Sequence, residues 1–187
     1  VLTVIQQPTW EPVSLELAKE HLRITHSDED LLINTVYLRA ARAYAETCLR
    51  MTLPETRLRE NLDGFPDADF IRLQLPPIQS VDAILYMNTS NEWETWDEDE
   101  YVVNLDNHRI MPVTAWPTIS STVPIVRITY TAGYQSAADI PENYKLAILQ
   151  FLSHAYNNRE AVIVGTINSA ALLAGEALLT DRELVFG

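Results

Sequence analysis

The sequence predicts an α+β fold in which a helical body of three to four helices carries an inserted antiparallel β region. Three observations predict it. Apolar residues recur at helical spacing up to Pro54, alternate from there to about residue 131, and return to helical spacing from Pro141. The stretch 123–134 concentrates β-branched and aromatic residues, Ile125, Val126, Ile128, Thr129, Tyr130 and Thr131, and then breaks at Gly133. Six candidate strands separated by turn-rich segments favour an antiparallel sheet or small barrel over a parallel one. The expected organisation is 1–54 for an N-terminal arm and the first helices of the body, 55–131 for the β region, and 132–187 for C-terminal helices and a tail.

In chain order, residues 1–12 read as a strand or an extended arm. Ser14 is a good N-cap for a helix to about Leu22, with Leu15, Ala18 and Leu22 on one stripe. Ser27 with Asp30 three residues later forms a near capping box, and Asp28 and Glu29 favour the positive end of the helix dipole. The long helix that follows, over 27–50, shows two rows. One is Leu32, Val36 and Ala40; the other is Leu31, Tyr37, Ala41, Tyr44 and Cys48. So broad an apolar surface predicts more than one packing neighbour.

In the β region, Arg57, Arg59 and Asn61 alternate with Leu58 and Leu62, which predicts an edge strand buried on its Leu side. Asp63-Gly64 and Pro66-Asp67 punctuate turns. Ile71 to Leu75 alternates and Pro76-Pro77 halts it; 81–87 resumes as a strand. Residues 88–91 form a turn, 93–96 a possible hairpin arm, and 101–103 pairs with 109–111 across Asp106-Asn107. Arg127 interrupts the apolar run around it, so one face there meets water or a partner. Pro141 marks a third helix to Asn157. Residues 161–165 read as strand or hydrophobic loop, 168–179 as a last helix, and 184–186 as an apolar tip.

Composition excludes several classes. Hydrophobic residues are 47% and charged residues 21% of the 187, the proportions of a globular protein. No apolar stretch reaches membrane-spanning length and no basic-then-apolar leader opens the chain, so the expectation is a soluble, non-exported protein without a membrane partner. The single cysteine, Cys48, excludes an internal disulfide and a cysteine-based zinc cluster. A net charge of −13 argues against general nucleic-acid binding, which relies on basic residues to neutralise phosphates.

Catalytic chemistry is missing too. The five glycines fall at 64, 133, 165, 175 and 187, never in a phosphate-binding spacing. Of the four histidines, only His154, near Asn157, Arg159 and Glu160, is a catalytic candidate, and a structural role at the end of its helix is the simpler reading. Asp28-Glu29-Asp30 is explained by capping, and 97–100 lacks the residues that shape a calcium loop, so it reads as a solvated acidic turn. Trp93 and Trp96 have Glu92, Glu94 and Asp97 as sequence neighbours, which suits packing or a protein contact better than base stacking. No catalytic, cofactor-binding or metal-binding residue is assigned, and no cofactor.

Several motifs taken together resemble one family. They are Val13-Ser-Leu-Glu-Leu-Ala-Lys-Glu-His-Leu-Arg23, Asp28-Glu-Asp-Leu-Leu32, Leu62-Asp-Gly-Phe-Pro66, Leu75-Pro-Pro-Ile-Gln-Ser-Val81, Tyr130-Thr-Ala-Gly-Tyr134 with Ile140-Pro141 behind it, and Asn157-Asn-Arg-Glu-Ala161. In this order the chain, from about residue 13 to 180, resembles the head-tail connector (adaptor, or head-completion) proteins of long-tailed bacteriophages and gene transfer agents. The resemblance implies a structural virion protein without catalysis: a homo-oligomeric ring of about a dozen copies beneath the portal protein. Such a ring would extend the DNA channel, let DNA pass through its lumen without specific binding, and dock a tail-completion or stopper protein. It implies a location at the head-tail junction of the virion, with host cytoplasm during assembly, and a C-terminal segment that faces the portal. Another phage tail or baseplate component, or a small-molecule hydrolase, are the alternatives.

Two expectations join the charge pattern to that reading. Arg39, Arg42 and Arg50 would face neighbouring subunits or the portal, while acidic side chains predominate toward the lumen. The apolar segments 170–179 and 184–186 would be loosely docked in a free subunit and ordered only in the particle.

Overall fold

In the computed structural model the described residues are 1–119, 126–159 and 170–179. They divide into two compact units: a β unit of Val1–Thr9 with Pro54–Tyr134, and a helical unit of Trp10–Leu53 with Gln135–Gly187. The architecture is α+β, as the change of periodicity predicts.

β8 (Val126–Ala132) is the middle strand of the β unit because nearly all of its side chains are apolar or small enough to bury. It pairs antiparallel with β2 (Thr56–Leu62) on one side and β4 (Ile78–Met87) on the other. β1 (Leu2–Gln6) and β5 (Trp93–Thr95) complete a five-stranded sheet in the order β1-β2-β8-β4-β5. A second sheet has the order β3-β7-β6, from β3 (Ile71–Arg72), β6 (Tyr101–Asn104) and β7 (Arg109–Pro112). Leu58, Ile84, Ile110, Val126, Ile128 and Tyr130 form the core, together with Trp96 at 2% exposure. Register sets Leu58 opposite Tyr130 and Ile84 opposite Ile128, so the period-2 pattern delivers its apolar set to one face.

Two strand expectations need correction. β2 is no edge strand: β1 covers its outer side, pairing Val4 with Leu58. Its buried face is Thr56, Leu58 and Glu60, with Leu62 only partly covered. The run 71–75 is a strand for two residues only: Leu73 N–H still bonds the His108 carbonyl in register, but Leu75 turns into the left-handed region at φ 54°. Eight strands stand among the described residues, and they include the arm read as a possible strand (β1) and the possible hairpin arm at 93–96 (β5). Gly133 has a physical role. Its φ is +101°, and a Cβ there would lie 2.4 Å from the Pro54 carbonyl oxygen, beside the bridge joining Pro54 and Tyr134.

The helical unit begins with α1 (Leu15–Leu22), capped as predicted by the Ser14 hydroxyl accepting from Leu17 N–H at 3.2 Å. The long helix is interrupted: α2 (Asp30–Leu32), a π turn (Ile33–Tyr37) and α3 (Leu38–Leu49) run on from one another. The capping box at Ser27 does not form. Asp30 N–H bonds the Ser27 carbonyl, not its hydroxyl, and the Asp30 carboxylate pairs with Lys19 at 2.7 Å. α4 (Glu142–Asn157) buries Tyr144, Ala147, Ile148, Leu149, Phe151 and Leu152. α5 (Ala170–Leu179) closes the unit.

The readings at 123–125, 161–165 and 184–186 lie outside the described residues. Among those described, no helix is long and apolar enough to cross a membrane.

Candidate assembly surfaces

The π turn decides what the long helix shows to its surroundings. It adds one residue to a turn, so the buried face runs Ile33, Leu38, Ala41, Ala45, Leu49, with a step of five across the interruption. Both rows read from the sequence assumed an unbroken helix and are therefore out of phase with the core. Leu32, Val36 and Ala40 are exposed, and from the other row only Ala41 is buried. The helix thus carries a covered apolar face and a second, open one of Leu31, Leu32, Val36, Ala40 and Ala43. Leu31 is 77% exposed and Val36 51%.

The three arginines of this helix part company. Arg42 turns inward, its Nε 2.7 Å from Glu11 and its Nη1 2.7 Å from Glu46, and is only 13% exposed. The expectation that it faces another subunit fails, because two carboxylates of its own chain take its guanidinium. Glu46 needs that cation. Burial pushes its carboxyl up, opposed by Arg42 and by hydrogen bonds from Leu53 N–H and the Thr52 hydroxyl. Arg39 is exposed and only 3.7 Å from Glu11, and Arg50 is exposed at the left-handed C-cap, so both stay available.

Two further contacts fix the ends of the helices. Glu29 accepts from Arg159 at 2.7 Å and from the Tyr156 hydroxyl, and these hydrogen bonds hold its carboxyl down at about 2. Arg159 also lies 4.3 Å over the Tyr156 ring, which meets Tyr37 edge-on. At the other end α5 is seated closely. Gly175 lies against Phe151, Tyr44 meets Phe151 edge-on at 4.7 Å and donates to Glu176 at 2.6 Å, and Asn143 donates to the Leu178 carbonyl. These contacts seat residues 175–178 of the segment that the sequence reading expects to be loosely docked in a free subunit. The candidate His154 stands at the end of α4, its carbonyl accepting from Asn158, which fits a structural role.

In the β unit the acidic run forms a short 3-10 turn (Glu98–Glu100), with Asp97 accepting from Asp99 N–H. Its carboxylates are exposed, and among the described residues no three His, Cys, Asp or Glu side chains converge as a metal site. The two tryptophans split, as strand alternation allows. Trp96 is buried against Phe65, Tyr101 and Trp116, whereas Trp93 is half exposed beneath the Arg127 guanidinium at 4.4 Å. That arginine is 34 positions away in sequence and is brought there by sheet pairing, so local neighbours gave no sign of it. A cavity of about 700 Å³ opens beside the turn, lined by Tyr86, Glu94, Trp96, Asp99, Glu100 and Trp116 among others. Burial and the nearby Glu94 raise the Tyr86 hydroxyl.

The sequence model of one family, described as phage gp6-like head-tail connector protein, matches residues 12–111, more than half of the chain. No curated protein sequence matches. Three solved structures are similar in fold. A chain of the neck of an empty gene transfer agent particle, computed with C6 symmetry, superposes with TM-score 0.76 at 20% identity, covering 95% of this chain and 94% of that one. A chain of the virion of a native gene transfer agent particle gives 0.76 at 20% identity over 95% and 93%. A chain of the neck of a native particle, computed with C12 symmetry, gives 0.71 at 19% over 96% and 94%.

Proposed function

The chain belongs to the phage gp6-like head-tail connector family, and from that premise we propose that copies of it close into a ring of about a dozen beneath the portal protein. Its role is structural, as the family's is. The ring extends the channel for DNA and offers the next docking surface to a tail-completion or stopper protein. It acts at the head-tail junction of the virion after assembly in the host cytoplasm.

The observation that carries the ring is the open apolar face of the long helix. Leu31, Leu32 and Val36 stand in water on a helix whose other face already fills the core, and Ala40 and Ala43 continue the stripe with small residues that permit close approach. Burying each large side chain against a neighbour would contribute up to about 1.5–3 kcal/mol. In a cyclic ring the contact is heterologous, so the stripe meets a different surface of the next copy. Exposed Arg39 and Arg50 supply cations at the margins of that face for a partner as acidic as this chain. The C6 and C12 symmetry of the similar neck structures supports the same reading. With a net charge of −13 per copy, DNA passes the lumen without specific binding.

Mass photometry and negative-stain microscopy of the purified chain, with and without portal, test this. Rings by the wild type and monomers by the folded Leu32→Asp/Val36→Asp variant are expected. Rings of equal yield from that variant would remove the stripe from the interface.

A further inference from the structure

The cavity beside the acidic turn has no part in ring formation as proposed, and its wall has a chemistry of its own. The partly exposed rings of Tyr86 and Trp116 stand with the carboxylates of Glu94, Asp99 and Glu100 around about 700 Å³, which the buried Trp96 also borders. No Lys, Arg or His lines it among the described residues. Aromatic faces attract cations through their quadrupole, and carboxylates add full charge, so such a wall suits a guanidinium.

The chain builds this kind of seat elsewhere and fills it itself. Arg159 lies over Tyr156 while pairing with Glu29, Arg127 lies over Trp93, and Arg109 lies 4.1 Å over Phe70. The cavity repeats the combination of ring and carboxylate that holds Arg159, without a cation of its own among the described residues. A bare metal ion fits poorly, because its three carboxylates do not converge as a metal site. The volume also exceeds one side chain and matches a short peptide segment.

We infer that this cavity docks an extended, arginine-bearing segment of a different protein, with a guanidinium held between the aromatic wall and Glu94 or Glu100. A second copy is the poorer donor, because it carries −13 itself and Arg42, Arg57, Arg109, Arg127 and Arg159 are engaged within their own chain. Its exposed Arg39 and Arg50 are guanidiniums a copy could offer, and the self-association arm of the test reads them. This site does not depend on the ring and stands or falls separately.

The probe is a hexa-arginine peptide, titrated calorimetrically and by tryptophan fluorescence at about 150 mM salt to screen diffuse attraction. Glu94→Gln/Glu100→Gln is expected to weaken binding about tenfold, against less than about twofold for Glu16→Gln/Glu20→Gln, which removes equal charge from exposed positions of α1. Hexalysine should bind at least about threefold more weakly than hexa-arginine, lacking a planar group to stack. Equal losses from the two charge pairs, or equal affinity for the two peptides, would overturn the site. Displacement of hexa-arginine by calcium alone at micromolar concentration would replace it with a metal site. Self-association abolished by Glu94→Gln/Glu100→Gln would show that the occupant is another copy and refute the assignment to a different protein.

Discussion

Ile33 and Leu38 lie five residues apart and are both fully buried on one face of the long helix, because the π turn between them absorbs the extra residue. An unbroken α-helix would rotate Leu38 well away from Ile33. The same turn leaves Leu32 and Val36 in solvent, so one local irregularity divides the helix into a face that fills the core and a face left open, the one proposed for assembly.

That division predicts a separation of effects. Leu38→Ala should destabilise the free subunit by about 2–5 kcal/mol, as loss of a fully buried leucine does. Val36→Ala should change its stability by less than about 0.5 kcal/mol while weakening ring formation. Urea denaturation of the free subunit, paired with mass photometry, checks both. Equal destabilisation by the two substitutions would contradict the division.

Gly175 permits α5 to approach Phe151 more closely than any other residue allows. A Cβ there would stand 2.4 Å from Phe151 Cε1, so the buried ring or the helix would have to shift. Gly175→Ala is expected to cost about 1–3 kcal/mol of docking. Hydrogen exchange should show α5 losing protection while α3 keeps it. Unchanged protection in α5 would mean that the helix is held by other contacts.

Glu60 is a carboxylate at 3% exposure on the core face of β2, receiving one hydrogen bond from Gln74 at 2.6 Å while its Oε2 has no partner. Burial raises its pKa, against the opposing Gln74 amide. A folded-state value above the unfolded one penalises folding once pH exceeds it, and the penalty is relieved as pH falls through it. Glu60→Gln should therefore stabilise the protein at neutral pH, by on the order of 1 kcal/mol. Thermal melts should show the gain shrinking as pH falls toward 4.5. A gain that persisted or grew in acid would refute this origin.

Glu29 predicts the opposite sign. Its carboxyl is held down at about 2 by Arg159 and Tyr156, so its contribution is complete above the ordinary value of 4.5 and is lost as pH falls toward 2. Glu29→Gln should remove that part of the acid dependence and loosen the end of α4. Difference melts against wild type over that range separate it from Glu60, whose effect lies at higher pH. An unaltered acid slope in the variant would exclude the Glu29 contact as its source.

What was legible in the sequence was local. Ser14 capped its helix and Gly133 broke its strand, because capping and left-handed backbone are decided within a few residues. The run of β-branched and aromatic residues identified β8 as a strand. What failed depended on distant partners. Nothing near Thr56 tells that residues 1–9 will cover the outer side of β2, nothing near Trp93 announces Arg127, and Arg42 looks like a surface cation until Glu11 and Glu46 meet it. The π turn was missed for another reason: a helical-period search assumes the regularity that the turn breaks. The breadth of the apolar surface, and so more than one neighbour, was legible, but which residues lie on the open face was not.

The most direct test of the connector account is electron microscopy of the chain bound to purified portal, read alongside the completion of heads by wild type and by Leu32→Asp/Val36→Asp. The account predicts a closed ring of about a dozen wild-type copies on the portal, and, from a folded but ring-deficient variant, heads that accept no tails. Single copies scattered on the portal, or heads completed at normal yield by the variant, would contradict it.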